Sequence, residues 1–168
     1  MTFFLIIVSV VIIQRLTELV ISRKNAGWLI SQGAVEYGRE HYIFIVLLHS
    51  LFFISMTAEF FIKDGEYNLN IINYLFLVFF IILQIARVSI LVSLGRYWNT
   101  RIYRIHGSEL IRTGLYRYFR HPNYIIVVCE IFTLPMIFDL YFTAVVFTIL
   151  NAAMLSVRIR TENEALKI

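Results

Sequence analysis

At 168 residues, 60% of them hydrophobic and with a mean hydropathy of +0.76, the chain is far more apolar than the about 45–50% usual for soluble domains, which excludes a soluble enzyme. Its net charge of +4 is small and sits in the connections between apolar runs, which speaks for membrane orientation and against nucleic-acid binding. The single Cys129 lies in an apolar run, and His41, His49, His106 and His121 are scattered without i,i+4 pairing. That leaves neither a disulfide framework nor a metal site.

Five apolar blocks, 3–22, 42–62, 71–94, 124–138 and 140–157, predict an all-α integral membrane protein of about five transmembrane helices, forming one domain over 1–168. The first three have the ~20 residues a membrane helix requires. The last two are shorter and are separated by little more than Asp139, which predicts a C-terminal helical hairpin. The first block lacks a basic leader and a small-residue cleavage site and is read as a retained span. Arg23, Lys24 and Arg39 follow the first block and only Lys63 follows the second. Arg96, Arg101, Arg104, Arg112, Arg117 and Arg120 follow the third, and Arg158, Arg160 and Lys167 close the chain. The positive-inside rule then places the first and third connections and the C-terminus in the cytoplasm.

Charges inside the spans are costly and therefore informative. Arg15 and Glu18 are three apart on one helix face, which predicts a structural ion pair near the cytoplasmic end. Glu59, near the outer end of its block, is expected to reach headgroups. Arg87 and Glu130 lie at similar depths and are expected to pair inside the bundle, either as structure or as pocket lining. The first connection, with Gly27, Trp28, Leu29 and Ile30, reads as an interfacial helix or as a gate for an amphipathic substrate. Between Gly95 and Gly114, the Gly107-Ser108 turn with short extended segments on either side fits a compact cytoplasmic cap.

The stretch Arg112 to Tyr124 is polar between two apolar blocks. Pro122 disfavours the α-region for His121, so a helix starts here. Its first turn would aim backbone N–H groups at a cluster of Arg, His and Tyr, either as an anion site or as an ordinary helix start in a positive loop. Near the C-terminus Arg158 and Glu162 are i,i+4. The hairpin returns them to the membrane face where Pro122 begins, so two polar clusters distant in sequence converge.

These clusters resemble the isoprenylcysteine carboxyl methyltransferase family, with its relatives the phospholipid methyltransferases. The residues that carry the likeness are Gly114-Leu115-Tyr116, Arg120-His121-Pro122-Asn123-Tyr124, and Arg158 with Glu162-Asn163 and Leu166. The N-terminal half, with Arg15-Leu-Thr-Glu18 and Gly33-Ala-Val-Glu36, is similar to the small bacterial branch. Two departures stand out: Asn163 replaces a second acidic residue, and the longer tail of eukaryotic members does not follow Ile168.

The resemblance implies a membrane O-methyltransferase, in the bacterial cell membrane with its site facing the cytoplasm. It implies that S-adenosylmethionine is bound by Glu109, Leu110, Ile111, Tyr116, His121, Pro122, Asn123, Tyr124 and Glu162. Arg158 would face the acceptor's carboxylate or hydroxyl oxygen. The acceptor would be a prenylated or other lipidic molecule: an isoprenylcysteine carboxylate, or the hydroxyl of a long-chain pyrone or phenol. Methyl transfer from a sulfonium requires alignment above all. A carboxylate needs no base, whereas a hydroxyl does, and His121 is the nearby candidate. Competing expectations are a membrane reductase of the sterol-reductase type using a nicotinamide cofactor, and a non-enzymatic membrane scaffold.

Overall fold

The structure, a computed structural model, describes residues 1–67, 69–109 and 111–166. It holds five helices, α1 Thr2–Ser31, α2 Arg39–Ile62, α3 Ile71–Leu94, α4 Pro122–Met136 and α5 Tyr141–Ala165. All but α4 are long and apolar enough to cross a membrane. With 15 residues, α4 extends roughly 22 Å, short of the ~30 Å hydrocarbon core. Ile13 and Leu16 on α1, Ile54 on α2, Ile85 on α3 and Ile149 on α5 are more than half exposed. Four long apolar helices with such faces turned outward make the chain an integral membrane protein.

The first connection departs from an interfacial helix. α1 runs on to Ser31, because its end is held against the segment after α3: Asn25 Nδ2 donates to the Trp98 carbonyl at 2.7 Å, and Trp28 packs edge-on to Tyr97 at 5.3 Å. The expected extended segments about Gly107-Ser108 do not pair with each other. β1 Val35–Tyr37 pairs antiparallel with β2 Ile102–Arg104, Glu36 opposite Tyr103. Two local contacts decide this. Arg104 closes the 105–108 turn on itself through Ser108 Oγ at 2.8 Å and the Ser108 carbonyl at 2.6 Å, and Arg101 Nη1 crosses to Glu36 Oε1 at 2.9 Å. The first connection, the third connection and the end of α5 thereby share one face of the bundle.

At the opposite end the core is aromatic. Phe4 stacks on Phe60 with centroids 3.8 Å apart, and Phe138, from the α4–α5 turn, meets Phe4 edge-on at 5.0 Å. Asn70 caps α3 by accepting from Ile72 N at 2.8 Å, and the buried Asn73 donates to Asp139 Oδ1 at 3.0 Å. These bonds fasten the hairpin turn to α3. Glu59 is a further correction: instead of reaching headgroups it caps α5, accepting from Phe142 N at 3.1 Å and Thr143 N at 2.8 Å. Two unpaired donors at a helix start are a stronger attraction than solvent. Glu59→Ala should therefore lower stability by about 0.5–2 kcal/mol, the cost of a lost cap. A thermal melt in detergent micelles, set beside Glu66→Ala as control, checks it; identical melting of the two variants would remove the cap from the account.

Inside the bundle four charges form one neutral network. Arg87 Nη2 meets Glu18 Oε2 at 2.6 Å and its Nη1 meets Glu130 Oε2 at 3.0 Å. Arg15 reaches Glu18 at 3.1 Å and Glu130 at 2.7 Å. Gln84 Nε2 adds a bond to Glu130 Oε1 at 2.8 Å. The expected Arg15–Glu18 and Arg87–Glu130 pairs are both present, joined crosswise into a single square of α1, α3 and α4.

Candidate functional site

Two cavities meet where the helices reach the β1–β2 face. The larger, about 330 Å³, runs between α1, α2, α4 and α5 and is walled chiefly by apolar side chains such as Ile12, Leu16, Val46, Phe53, Val127 and Met154. The smaller, about 120 Å³, lies under the third connection and is lined by Tyr103, Arg104, Tyr116, His121 and Glu162. Trp98, Asn99, Asn123, Tyr124 and Arg158 border both.

The shared wall is made by local chain chemistry. Pro122 is the first residue of α4, so the chain turns sharply at His121 and puts Asn123 and Tyr124 on the first turn. Gly114 has a φ of +55°, and a Cβ there would collide with Ser93 Oγ on α3. Glycine alone lets the 3-10 turn 114–117 lie against α3 and carry Tyr116 to the smaller cavity. Tyr124 is the hinge of the constellation. Its phenol accepts from Arg158 Nε at 2.9 Å and donates to the Glu162 carboxylate. Arg158 Nη2 donates to the Thr100 carbonyl at 2.6 Å, and its guanidinium lies 5.5 Å from the Tyr124 ring centroid.

The i,i+4 spacing of Arg158 and Glu162 thus gives no direct pair: the tyrosine stands between the two charges. His121 stacks on Tyr124 at 5.4 Å, with Nε2 3.2 Å from Asn163 Oδ1 and Nδ1 3.6 Å from Glu162 Oε1.

Of the residues singled out in sequence, Tyr116, His121, Asn123, Tyr124, Arg158 and Glu162 come together. Pro122 is buried behind them. Glu109 is exposed and Ile111 half-buried, neither in the cavity lining, and Leu110 lies outside the described residues. Trp98, Asn99 and Thr100 join the site without having been singled out. Their only advance signal is a Trp-Asn-Thr run that begins four residues past the third span.

The electrostatics favour a donor-rich site. The Tyr116 phenol is pushed up by burial and then by the Glu162 charge, so it stays a donor. His121 is held above its ordinary 6.5 chiefly by the Glu162 carboxylate beside it. A raised histidine contributes stability that is fully present below the unfolded value and is lost as pH rises through the folded one. Protection of the α5 end against hydrogen exchange should therefore fall as pH climbs from about 6.5 upward, and His121→Gln should flatten that dependence. A slope unchanged by the substitution would assign the pH response elsewhere.

The sequence model of the isoprenylcysteine carboxyl methyltransferase (ICMT) family matches residues 76–168. This span carries the whole shared wall, and the chain belongs to that family of membrane methyltransferases. It is 38% identical over 164 residues to the uncharacterized protein YpbQ of Bacillus subtilis (strain 168), covering 98% of this chain and 96% of that one. An uncharacterized protein of Haemophilus influenzae is 26% identical over 167 residues, with 99% and 96% covered. No solved structure matches the chain significantly.

Proposed function

We infer that the protein is an S-adenosylmethionine-dependent O-methyltransferase of a bacterial cell membrane, its site facing the cytoplasm. Its acceptor is either the carboxylate of an isoprenylcysteine-like molecule or the hydroxyl of a long-chain lipid. The observation that carries this reading is the pair of cavities, one polar and one apolar, with Arg158 and Tyr124 in both linings. A water-soluble donor and a lipidic acceptor would need such an arrangement.

The polar cavity suits the cofactor's mixed chemistry. Arg104 Nε and Trp98 Nε1 are buried donors without a partner among the described residues, and Asn123 Oδ1 is a buried acceptor in the same condition. A zwitterionic amino acid offers groups of both signs to such atoms, and Glu162 faces the same space as the counter-charge for a cation. Bound there, S-adenosylmethionine supplies an electrophilic methyl group on a sulfonium. The segment Glu109 to Ile111 enters the assignment on family resemblance alone, and Pro122 through the turn it imposes.

Arg158 holds the acceptor oxygen: Nε and Nη2 are occupied by Tyr124 and Thr100, which fixes the plane of the guanidinium and leaves Nη1 for the acceptor. A carboxylate acceptor arrives ionised and needs only this alignment. A hydroxyl acceptor gives its proton to Tyr124 as the phenol's own proton passes to Glu162, with His121 at the far end of the chain. His121 then acts through Glu162 and does not touch the acceptor, since it lines the polar cavity only.

Calorimetry on the purified protein tests the assignment, with S-adenosylmethionine and with a reduced nicotinamide dinucleotide as ligands. Binding of the first alone is expected, and His121→Ala should weaken it by about 1–3 kcal/mol, the range for one lost hydrogen bond in a buried site. Binding of the nicotinamide alone would return the protein to the reductases.

A further inference from the structure

Besides the wall it shares with the polar cavity, the apolar cavity has a further polar level, built from three helices. Phe4 stacks on Phe60. Arg15 lies eleven residues on from Phe4, and His49 lies eleven residues before Phe60, so the antiparallel α1 and α2 bring Arg15 and His49 to the same depth. On the next pair, Ser55 Oγ is 2.9 Å from Thr143 Oγ1 and the Phe52 and Phe147 rings are 5.5 Å apart. Continuing that antiparallel register sets Asn151 of α5 beside His49. All three side chains line the cavity.

Arg15 is engaged by Glu18 and Glu130, but Asn151 and His49 each keep one unspent hydrogen-bonding atom. Asn151 is 3% exposed and its Nδ2 is buried with no partner among the described residues. His49 Nδ1 lies 2.8 Å from the Ile45 carbonyl. A carbonyl can only accept, so the proton of the neutral ring is on Nδ1 and Nε2 is left as an acceptor, without a partner among the described residues. A donor and an acceptor thus stand at one level. The charges beside them cancel, Arg15 and Arg87 against Glu18 and Glu130, so the level offers nothing to a net anion. A hydroxyl, which donates once and accepts, matches it.

We propose that this level is a second polar subsite, which binds a hydroxyl carried on the acceptor's chain and so selects oxygenated lipids over plain hydrocarbon chains. Asn151 is seven residues before Arg158, which sets the hydroxyl roughly 10 Å from the methylated oxygen. The proposal rests on the acceptor assignment above and narrows it.

The test is equilibrium binding to the full-length protein in detergent micelles, read by competition against a radiolabelled chain, with methyl transfer measured separately. The probes are 10-hydroxyhexadecanoic acid and hexadecanoic acid, which differ by the one hydroxyl. Wild type should prefer the hydroxylated probe by about tenfold, the worth of one or two buried hydrogen bonds. Asn151→Leu should erase the preference and leave hexadecanoic acid binding as well or better. That variant removes an unpaired buried donor and is expected to fold. His49→Leu should give the same result from the acceptor side. Equal binding of the two probes to wild type, or a preference untouched by both substitutions, would overturn the subsite and leave the level to water. A preference that depends on Asn151 without transfer to any acceptor would uphold the subsite and sink the methyltransferase reading instead.

Discussion

Replacing Arg158 with lysine should lower the methyl-transfer rate at saturating cofactor by on the order of 100-fold, the effect of misplacing a reacting atom by about 1 Å. The fold and the cofactor affinity should be retained. Three directions are asked of this side chain at once: Tyr124 through Nε, the Thr100 carbonyl through Nη2, and the acceptor through Nη1. A planar fork meets all three from one rigid group. An ammonium is a single flexible point and can favour one of them only at the expense of the others. Were Arg158 a partner of Glu162 on the helix surface, the substitution would cost no more than the about 0.3–0.5 kcal/mol of an exposed i,i+4 pair. Instead the Tyr124 phenol lies between the two charges. Arg160→Lys, at an exposed position on the same helix, is the control and should stay active. Equal rates in the two variants would leave Arg158 a structural residue and the acceptor side without a holder.

How far the fold was legible follows from which forces are local. α3 spans 71–94 as its hydropathy alone predicts, because a lipid-facing helix must be apolar along its whole length and announces both its ends. The α4–α5 hairpin was legible from Asp139 for the same reason, and Pro122 marks the start of α4 as its fixed φ requires. The extension of α1 to Ser31 was not: Trp28 and Leu29 are apolar enough for an interface, and only the contacts of Trp28 with Tyr97 and of Asn25 with Trp98 show that the helix continues. β1–β2 pairing was hidden because three-residue strands carry no periodicity and their partners are more than sixty residues apart.

The buried square shows the same limit. Spacing reveals that Arg15 and Glu18 share a face, but not that Arg15 also reaches across to Glu130. Within the candidate site, the motif residues could be read from family likeness. Thr100, which holds Arg158 through a main-chain carbonyl, could not, since a backbone acceptor leaves no signature in residue type. Nor does residue type distinguish a tyrosine that merely packs from one that separates an arginine from a glutamate.

The second large effect belongs to that square, and it is one of stability. Arg87→Met should destabilise the protein by about 3–5 kcal/mol, the cost of removing one partner from a buried ion pair. Arg87 is 6% exposed and serves both carboxylates. Without it, Glu18 and Glu130 are left with Arg15 alone, and one negative charge stays uncompensated where solvation is poorest. Length and apolar contact are largely kept by methionine, so the loss isolates the charge. The double variant Arg87→Met with Glu130→Gln restores neutrality around Arg15 and Glu18, and it should recover most of what the single variant loses. Gln84 stays at hand to bond the new amide, since its Nε2 already donates to the Glu130 Oε1 position. Unfolding in mixed micelles with increasing denaturing detergent measures both variants against wild type. Single and double variants of equal stability would mean that the packing of Arg87, and not charge balance, holds α1, α3 and α4 together. A single variant as stable as wild type would remove the network from the forces that maintain the bundle.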